Sequence, residues 1–241
     1  MATIYLVRHG QAGGQDYNKL TAAGEEQARL LGRYLKRAGI HFDSTATGSL
    51  GRQQETLQLI RSEMSAEACP EPDTHNELNE IEPRVFAALA ADLRGQDDHF
   101  RRELERWTDS LYKDSQRATD PDAVQNYRSL LTRMLRHWIL ERGPDRGRIP
   151  SFEQFRATVL SVRTKVKGKR ILLISSGTPI ALLIAAAFAP LQKPTTALRI
   201  LQYIQNTSLS VFHQHGSRWE PVRINCTPHI DPADSFLNTV I

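Results

Sequence analysis

Ile4-Tyr5-Leu6-Val7-Arg8-His9-Gly10-Gln11 reads as an apolar, β-branched strand that stops abruptly at an arginine, a histidine and a glycine. In open α/β sheets ligands bind beyond the carboxyl ends of the strands, and a glycine there lets the backbone come close to what binds. His9 is therefore the first candidate nucleophile. Its imidazole is neutral and nucleophilic near neutral pH, and the Arg8 guanidinium beside it offers a rigid fork of donors suited to phosphate. The pair points to phosphoryl chemistry, although a hydrogen-bonded structural histidine would leave the same tripeptide.

The segments that follow repeat the theme. Leu20-Thr21-Ala22-Ala23-Gly24-Glu25-Glu26-Gln27-Ala28 opens a helix, with Thr21 as N-cap and Gly24-Glu25 in the first turn. His41 to Thr47 reads as a second strand. It runs into Ser49-Leu50-Gly51-Arg52-Gln53-Gln54-Glu55-Thr56, expected as a serine-capped helix with Arg52 in its first turn, where helix terminus and cation both favour an anion. Two strand ends thus each deliver an arginine.

In this order of pieces the chain resembles the histidine phosphatase superfamily, with its phosphoglycerate-mutase-like fold. Arg8-His9-Gly10 matches the family's Arg-His-Gly, and Leu20 to Ala28 its Leu-Thr-x-x-Gly-x-x-Gln-Ala helix start. The stretch ending at Arg52 and Thr56 matches Ser-x-Leu-x-Arg-x-x-x-Thr, Leu78-Asn79-Glu80 matches Leu-x-Glu, and Ser151 to Phe155 resembles a helix-opening Ser-Phe-x-x-Phe. The resemblance implies a three-layer α/β/α sandwich around a mostly parallel sheet, one domain over 1–241, with a helical cap inserted at 83–150. It also implies a mechanism: His9 attacks a phosphate monoester in line to give a phosphohistidine, Arg8 and Arg52 neutralise the equatorial oxygens, and Glu80 protonates the leaving oxygen. Glu82 is the rival acid, ranked behind Glu80 because Glu80 fits Leu-x-Glu. Gly10, Gln11, Asn18 and Thr21 are candidate phosphate or substrate contacts, Asn18 and Thr21 equally reading as loop and cap residues.

One position departs from the family, which carries a second histidine in Ser-His-Gly at the end of a later strand. Here Ile174-Ser175-Ser176-Gly177-Thr178-Pro179 follows a buried strand from Lys169, with Thr178 expected to cap the next helix and Pro179 to take its first position. Ser176 stands in the histidine's place, with Gly177 and Thr178 as neighbouring phosphate contacts. A hydroxyl can donate one hydrogen bond but brings no positive charge. Losing a preorganised donor costs on the order of 3–4 kcal/mol of transition-state stabilisation, and a neutral donor softens that loss. Three readings of Ser176 stand: a working variant, a site that binds phospholigands without turnover, and an engineered exchange. Thr178-Pro179, differing from the family locally, favours a natural subfamily. The remaining histidines, His75, His213, His215 and His229 among them, read as core or surface residues.

The 241 residues suffice for one large α/β domain with a sizeable core. Cys69 and Cys226 are the only cysteines, too few for a disulfide scaffold or a Cys-x-x-Cys metal site; with no export signal read in the N-terminal residues, a cytoplasmic enzyme is expected. No metal or cofactor is expected. The apolar run Ile171 to Ala189 is broken by Ser175 to Pro179, which makes it a strand and helix rather than a membrane span. The net charge of +4 is spread over short clusters, among them Arg101-Arg102, Arg142 to Arg148 and Lys165 to Arg170, without interleaved aromatics, so nucleic acid is not the expected partner.

Within the insertion, Phe100, Leu104, Trp107 and Leu111 recur at helical spacing. A second stripe of Tyr127, Leu130, Leu131, Met134, Leu135, Trp138 and Ile139 follows the cap Asp120-Pro121-Asp122. This pair of helices is read as a substrate-selecting cap, with a homodimer interface through Trp107 or Trp138 as the alternative. Gln205 to His213 and Trp219 to Ile224 read as a terminal hairpin. The expected function is a histidine acid phosphatase-like phosphomonoesterase acting on a phosphorylated small molecule. The alternatives are a weakened or inactive phospholigand-binding pseudoenzyme and, behind it, a phosphoglycerate mutase-type phosphotransferase.

Overall fold

The computed structural model describes residues 1–13, 16–113, 121–140, 149–188, 193 and 195–240. Its contacts divide the chain into two compact units, Met1–Glu80 with Thr158–Ile241, and Ile81–Ala157. The expected cap at 83–150 falls within the second.

The first unit is built on β1 (Ala2–Arg8), the short pair β2 (Ala12–Gly13) and β3 (Asp16–Leu20), α1 (Ala22–Arg37), β4 (Ser44–Thr47), α2 (Gly51–Ser62) and β5 (Pro72–Thr74). Among the described residues six strands form one open sheet. In it β1, β4 and β5 are joined by β6 (Arg170–Ser175), β7 (Leu209–His215) and β8 (Arg218–Cys226), in the order β5-β4-β6-β1-β7-β8. β5, β4, β6 and β1 run parallel, and β7 returns antiparallel to β1. The mostly parallel α/β sandwich is as expected.

Alternation along the strands makes two buried faces. Val7, Leu172 and Ile174 pack with Ala28, Leu31 and Leu35 of α1 and Leu57 and Ile60 of α2. Ile4, Leu6, Ile171 and Leu173, also buried, take the opposite face, and α7 (Gly177–Ala187) packs against β1. Leu31 and Leu35 are fully buried at helical spacing, so truncating either to alanine costs roughly 2–5 kcal/mol. Thr21 caps α1 as expected, its hydroxyl accepting from the Gly24 N–H at 3.1 Å.

Several expected boundaries move. Ser49 does not cap α2: Leu50 is the N-cap residue, Asn18 Oδ1 accepts the Gly51 N–H, and Ser49 exchanges hydrogen bonds with Asn79. Thr178 does not cap α7, because the helix already begins at Gly177 with Ser176 as N-cap residue, leaving Pro179 in the third helical position. The strand expected from His41 begins at Ser44, since His41 is exposed and turned toward the Gly39 carbonyl. The strand expected from Gln205 begins at Leu209, because Thr207 takes φ +52° and breaks extended pairing before it.

The second unit packs α3 (Pro83–Gln96), α4 (Asp98–Lys113) and α5 (Pro121–Ile139) on one another. Phe100, Leu130, Leu135 and Trp138 are buried, as the stripes require. Trp107 stacks on Tyr127 at 5.6 Å, and Trp138 lies against Phe152 and Phe155, so both indoles are engaged within this unit. α6 (Phe152–Lys165) opens with a reciprocal capping box between Ser151 and Gln154. The Leu111 side chain, the Asp120 cap, the Arg142 to Arg148 cluster and Ala189 lie outside the described residues. No helix among the described residues is long and apolar enough to cross a membrane.

Candidate active site

β1 and β6 are parallel neighbours with Arg8 opposite Ser175, so His9 and Ser176 leave the sheet side by side at its carboxyl end. The His9 N–H donates to the Ser175 carbonyl at 2.9 Å, and Asn206 Nδ2 donates to the His9 carbonyl at 3.1 Å. Both fix the backbone under the imidazole.

His9 is only 2% exposed. Its Nδ1 lies 2.7 Å from the Gly10 carbonyl, which can only accept, so Nδ1 carries the proton and Nε2 the lone pair. Arg52 Nε donates to that Nε2 at 3.1 Å. Burial, then Arg8 and Arg52, hold the His9 pKa well below 6.5 against the opposing pull of the Gly10 carbonyl. The ring is a neutral base at neutral pH.

Two guanidiniums attend it. Arg8 is buried, donates through Nη1 to the Ile204 carbonyl at 2.5 Å, and lies 3.8 Å from where a Gly177 Cβ would stand. Arg52 is 5% exposed and stacks beneath the Tyr17 ring, 4.6 Å from its centroid. Glu80 Oε2 accepts the Thr178 N–H at 3.1 Å, which sets a carboxyl group against the first turn of α7, where the helix favours negative charge. Ser176 is fully buried, and its Oγ accepts from Gln53 Nε2 at 2.8 Å.

The sequence profile of the histidine phosphatase superfamily (branch 1) matches residues 4–227. The chain belongs to that family. It is 29% identical to a probable phosphoglycerate mutase of Photorhabdus laumondii over 91% of its own length and 88% of the relative's. It is 33% identical to a broad-specificity phosphatase of Saccharomyces cerevisiae over 28% of this chain and 33% of that one. Across the first curated relatives the chain spans between about a third and two thirds of their length. Among solved structures it superposes on a putative alpha-ribazole-5'-P phosphatase of Escherichia coli with a TM-score of 0.59 at 19% identity, covering 94% of this chain and 98% of the other. A phosphoglycerate mutase of Bacillus anthracis gives 0.56 at 16% identity, covering 95% and 94%. These likenesses establish the shared fold.

The fold brings Arg8, His9 and Gly10 at the end of β1 together with Arg52 of α2 and with Ser176, Gly177 and Thr178 at the start of α7, where the Thr178 amide holds Glu80. It gives the other expected contacts framework bonds. The Thr21 hydroxyl is engaged by the Gly24 N–H and by Gln11 Oε1, the Gln11 N–H by Gln27, and the Asn18 carboxamide oxygen by α2. Gly10 is needed for closeness: a Cβ there would stand 2.5 Å from the Gly24 carbonyl oxygen. Glu82 is exposed and paired with Arg84, His75 pairs with Glu77 at 3.7 Å, and His229 is buried against Thr207. Among the described residues no group of three or more His, Cys, Asp or Glu could hold a metal ion.

Two contributors went unread in the sequence: Gln53 and Tyr17. Gln53 carried a faint signal, a long amide beside Arg52. Tyr17 carried none, since nothing in its local spacing marks a long-range contact.

Proposed function

We propose that this histidine phosphatase hydrolyses phosphate monoesters through a phosphohistidine on His9. The observation that carries the reading is the His9 geometry: a buried neutral imidazole whose proton is held at Nδ1 by a carbonyl and whose Nε2 lone pair meets an arginine. Nε2 attacks phosphorus, the ester P–O bond breaks, and protonated Glu80 gives its proton to the departing oxygen. The Glu80 carboxylate then takes a proton from water as the water oxygen attacks phosphorus. The P–N bond breaks, its electron pair returns to Nε2, and phosphate leaves with Glu80 again protonated. Arg8, Arg52 and the α7 amides are the cationic and dipolar partners of the equatorial oxygens. The substrate is a small phosphorylated molecule, and the free thiols Cys69 and Cys226 support a cytoplasmic setting.

The mutase-named relatives support a second reading, in which the phosphohistidine returns its group to another hydroxyl instead of to water. A third, binding without turnover, draws support from Ser176, which offers no charge. One experiment separates them: p-nitrophenyl phosphate hydrolysis by wild type and His9→Ala, with acid-stable and base-stable phosphoenzyme measured after rapid quench. Hydrolysis with a base-stable, acid-labile phosphoenzyme, both lost in His9→Ala, is the expected result. A phosphoenzyme that persists in water and discharges only to phosphoglycerate would favour the mutase, and silence in both proteins would favour binding.

A further inference from the structure

Consecutive residues at the start of α2 reach two adjacent strand ends. Arg52 bonds His9 after β1, and Gln53 bonds Ser176 after β6. Gln53 is fully buried, and its Nε2 donates both to Ser176 Oγ and to the Leu78 carbonyl, each at 2.8 Å. The Leu78 carbonyl also accepts from Ser175 Oγ at 2.8 Å. Because a carbonyl only accepts, the amide cannot be turned over: nitrogen must face Leu78 and Ser176, and oxygen the other way.

That orientation is costly. Gln53 Oε1 is buried without a hydrogen-bond partner among the described residues, and it has room only because position 48 is glycine, whose Cβ would stand 2.1 Å from it. What the arrangement secures is the serine. With Gln53 N–H occupying a lone pair of Ser176 Oγ, the serine proton is left to donate, yet Oγ makes no cap bond to α7 and has no acceptor among the described residues. It stands at the strand end beside His9, next to the first turn of α7.

We propose that Gln53 is a positioning residue for phosphoryl transfer, which holds Ser176 Oγ so that its O–H is reserved for an oxygen of the bound phosphoryl group. The inference rests on the phosphoryl-transfer reading for the ligand it names. Gln53 and Ser176 then act as a single neutral donor unit beside the cations Arg8 and Arg52, and removing either abolishes the contribution of both.

The test is a double-mutant cycle read in orthovanadate affinity, since vanadate mimics the five-coordinate phosphoryl transition state and its binding needs no turnover. Gln53→Met keeps the side-chain volume and loses the donor; Ser176→Ala loses the hydroxyl. Each single variant is expected to weaken vanadate about tenfold, and the double variant to be within about twofold of Ser176→Ala. Losses that multiply to about a hundredfold in the double variant would overturn the proposal, as would unchanged affinity in Gln53→Met or no vanadate binding by wild type. The Gln53 side-chain amide signal, followed by NMR in proteins that retain Gln53, supplies a readout independent of how Gln53→Met folds. Vanadate should shift it in wild type and leave it in place in Ser176→Ala, and an equal shift in both would overturn the pairing. A wild type that binds vanadate with this coupling but hydrolyses nothing would sink the hydrolase reading and leave the pair standing.

Discussion

Arg52 donates its Nε–H to Nε2 of His9 at 3.1 Å, so the guanidinium sits on the lone pair that attacks phosphorus in the proposed mechanism. The bond has two effects. It fixes the imidazole in its plane with Nδ1 on the Gly10 carbonyl, and it places a cation where the proposed mechanism brings a phosphoryl group. An incoming phosphate displaces a charge-assisted donor from nitrogen to its own oxygens, which accept more strongly. The same guanidinium stacks on the aromatic ring of Tyr17.

Arg52→Ala should lower kcat by roughly two to three decades, the loss of about 3–4 kcal/mol of transition-state stabilisation. Arg52→Lys should recover little of it, because a point charge cannot reproduce the planar fork that contacts both ring and phosphate. Steady-state kinetics on an aryl phosphate decides this; near-complete recovery by lysine would show that charge alone suffices.

The pH dependence follows from the sign of the His9 shift. A pKa held well below 6.5 means the nucleophile stays deprotonated where free histidine protonates, so kcat/KM should show no acid limb near 6.5. Removing one of the lowering cations, as in Arg52→Ala, should move the His9 titration upward. Carbon-detected NMR of the His9 ring against pH measures both, and a wild-type midpoint at 6.5 would contradict the electrostatics of the site.

Glu80→Gln should divide the two chemical steps. With a good phenolic leaving group the first transfer needs little acid, but hydrolysis of the phosphohistidine still needs a base. The expected signature is a burst of phenol equal to the enzyme concentration, followed by slow turnover and accumulated phosphoenzyme. Alkyl phosphates should lose on the order of 10²–10⁴ in rate without a burst. Equal slowing of both classes with no burst would move the acid–base role elsewhere, Glu82 being the next residue to replace.

His229 makes stability depend on acid. Its Nε2 lies 2.9 Å from Thr207 Oγ1, whose own proton goes to the Asn206 carbonyl, so His229 must donate; burial pushes its pKa down to about 4 from 6.5. A depressed histidine pKa gives stability that is present above 6.5 and is lost as pH falls toward about 4. The full loss is about 3 kcal/mol. His229→Gln keeps a donor and removes the titration, so urea unfolding at pH 7 and pH 4 should show the wild type losing more stability than the variant. Parallel losses would assign the acid sensitivity to other groups.

Gly24→Ala tests the close approach between the His9 loop and α1. A Cβ at Gly24 would stand 2.1 Å from the Gln11 carbonyl oxygen, backbone against backbone, so the loop must shift. The expected cost is roughly 1–3 kcal/mol of stability, with kcat falling as His9 moves. Thermal unfolding with unchanged midpoint would show that the contact is relaxed at no cost.

Local chemistry was legible in the chain wherever a rule of short range applies. The apolar run before Arg8, the Thr21 cap, the helix opened by Leu20 to Ala28, and the stripes of α4 and α5 follow from periodicities of two and 3.6 and from terminal hydrogen bonding. These set the α/β class and put Arg8, His9 and Arg52 at element ends. The capping of α2 and α7 was misread because a serine or threonine at the right place is only one available acceptor. Asn18, 33 residues from Gly51, took the first terminus, and Glu80, 98 residues from Thr178, took an amide of the second.

The site itself required the sheet. His9 meets Arg52 across 43 residues and Gln53 meets Ser176 across 123, contacts that exist only because β6 lies beside β1 with Arg8 opposite Ser175 and α2 begins over both ends. Which side chains stand at the ends of elements is settled locally, by backbone propensity over a few residues. Which of those ends meet, and which polar atom then lacks a partner, was decided by strand order and register, which arise from burial of the whole core.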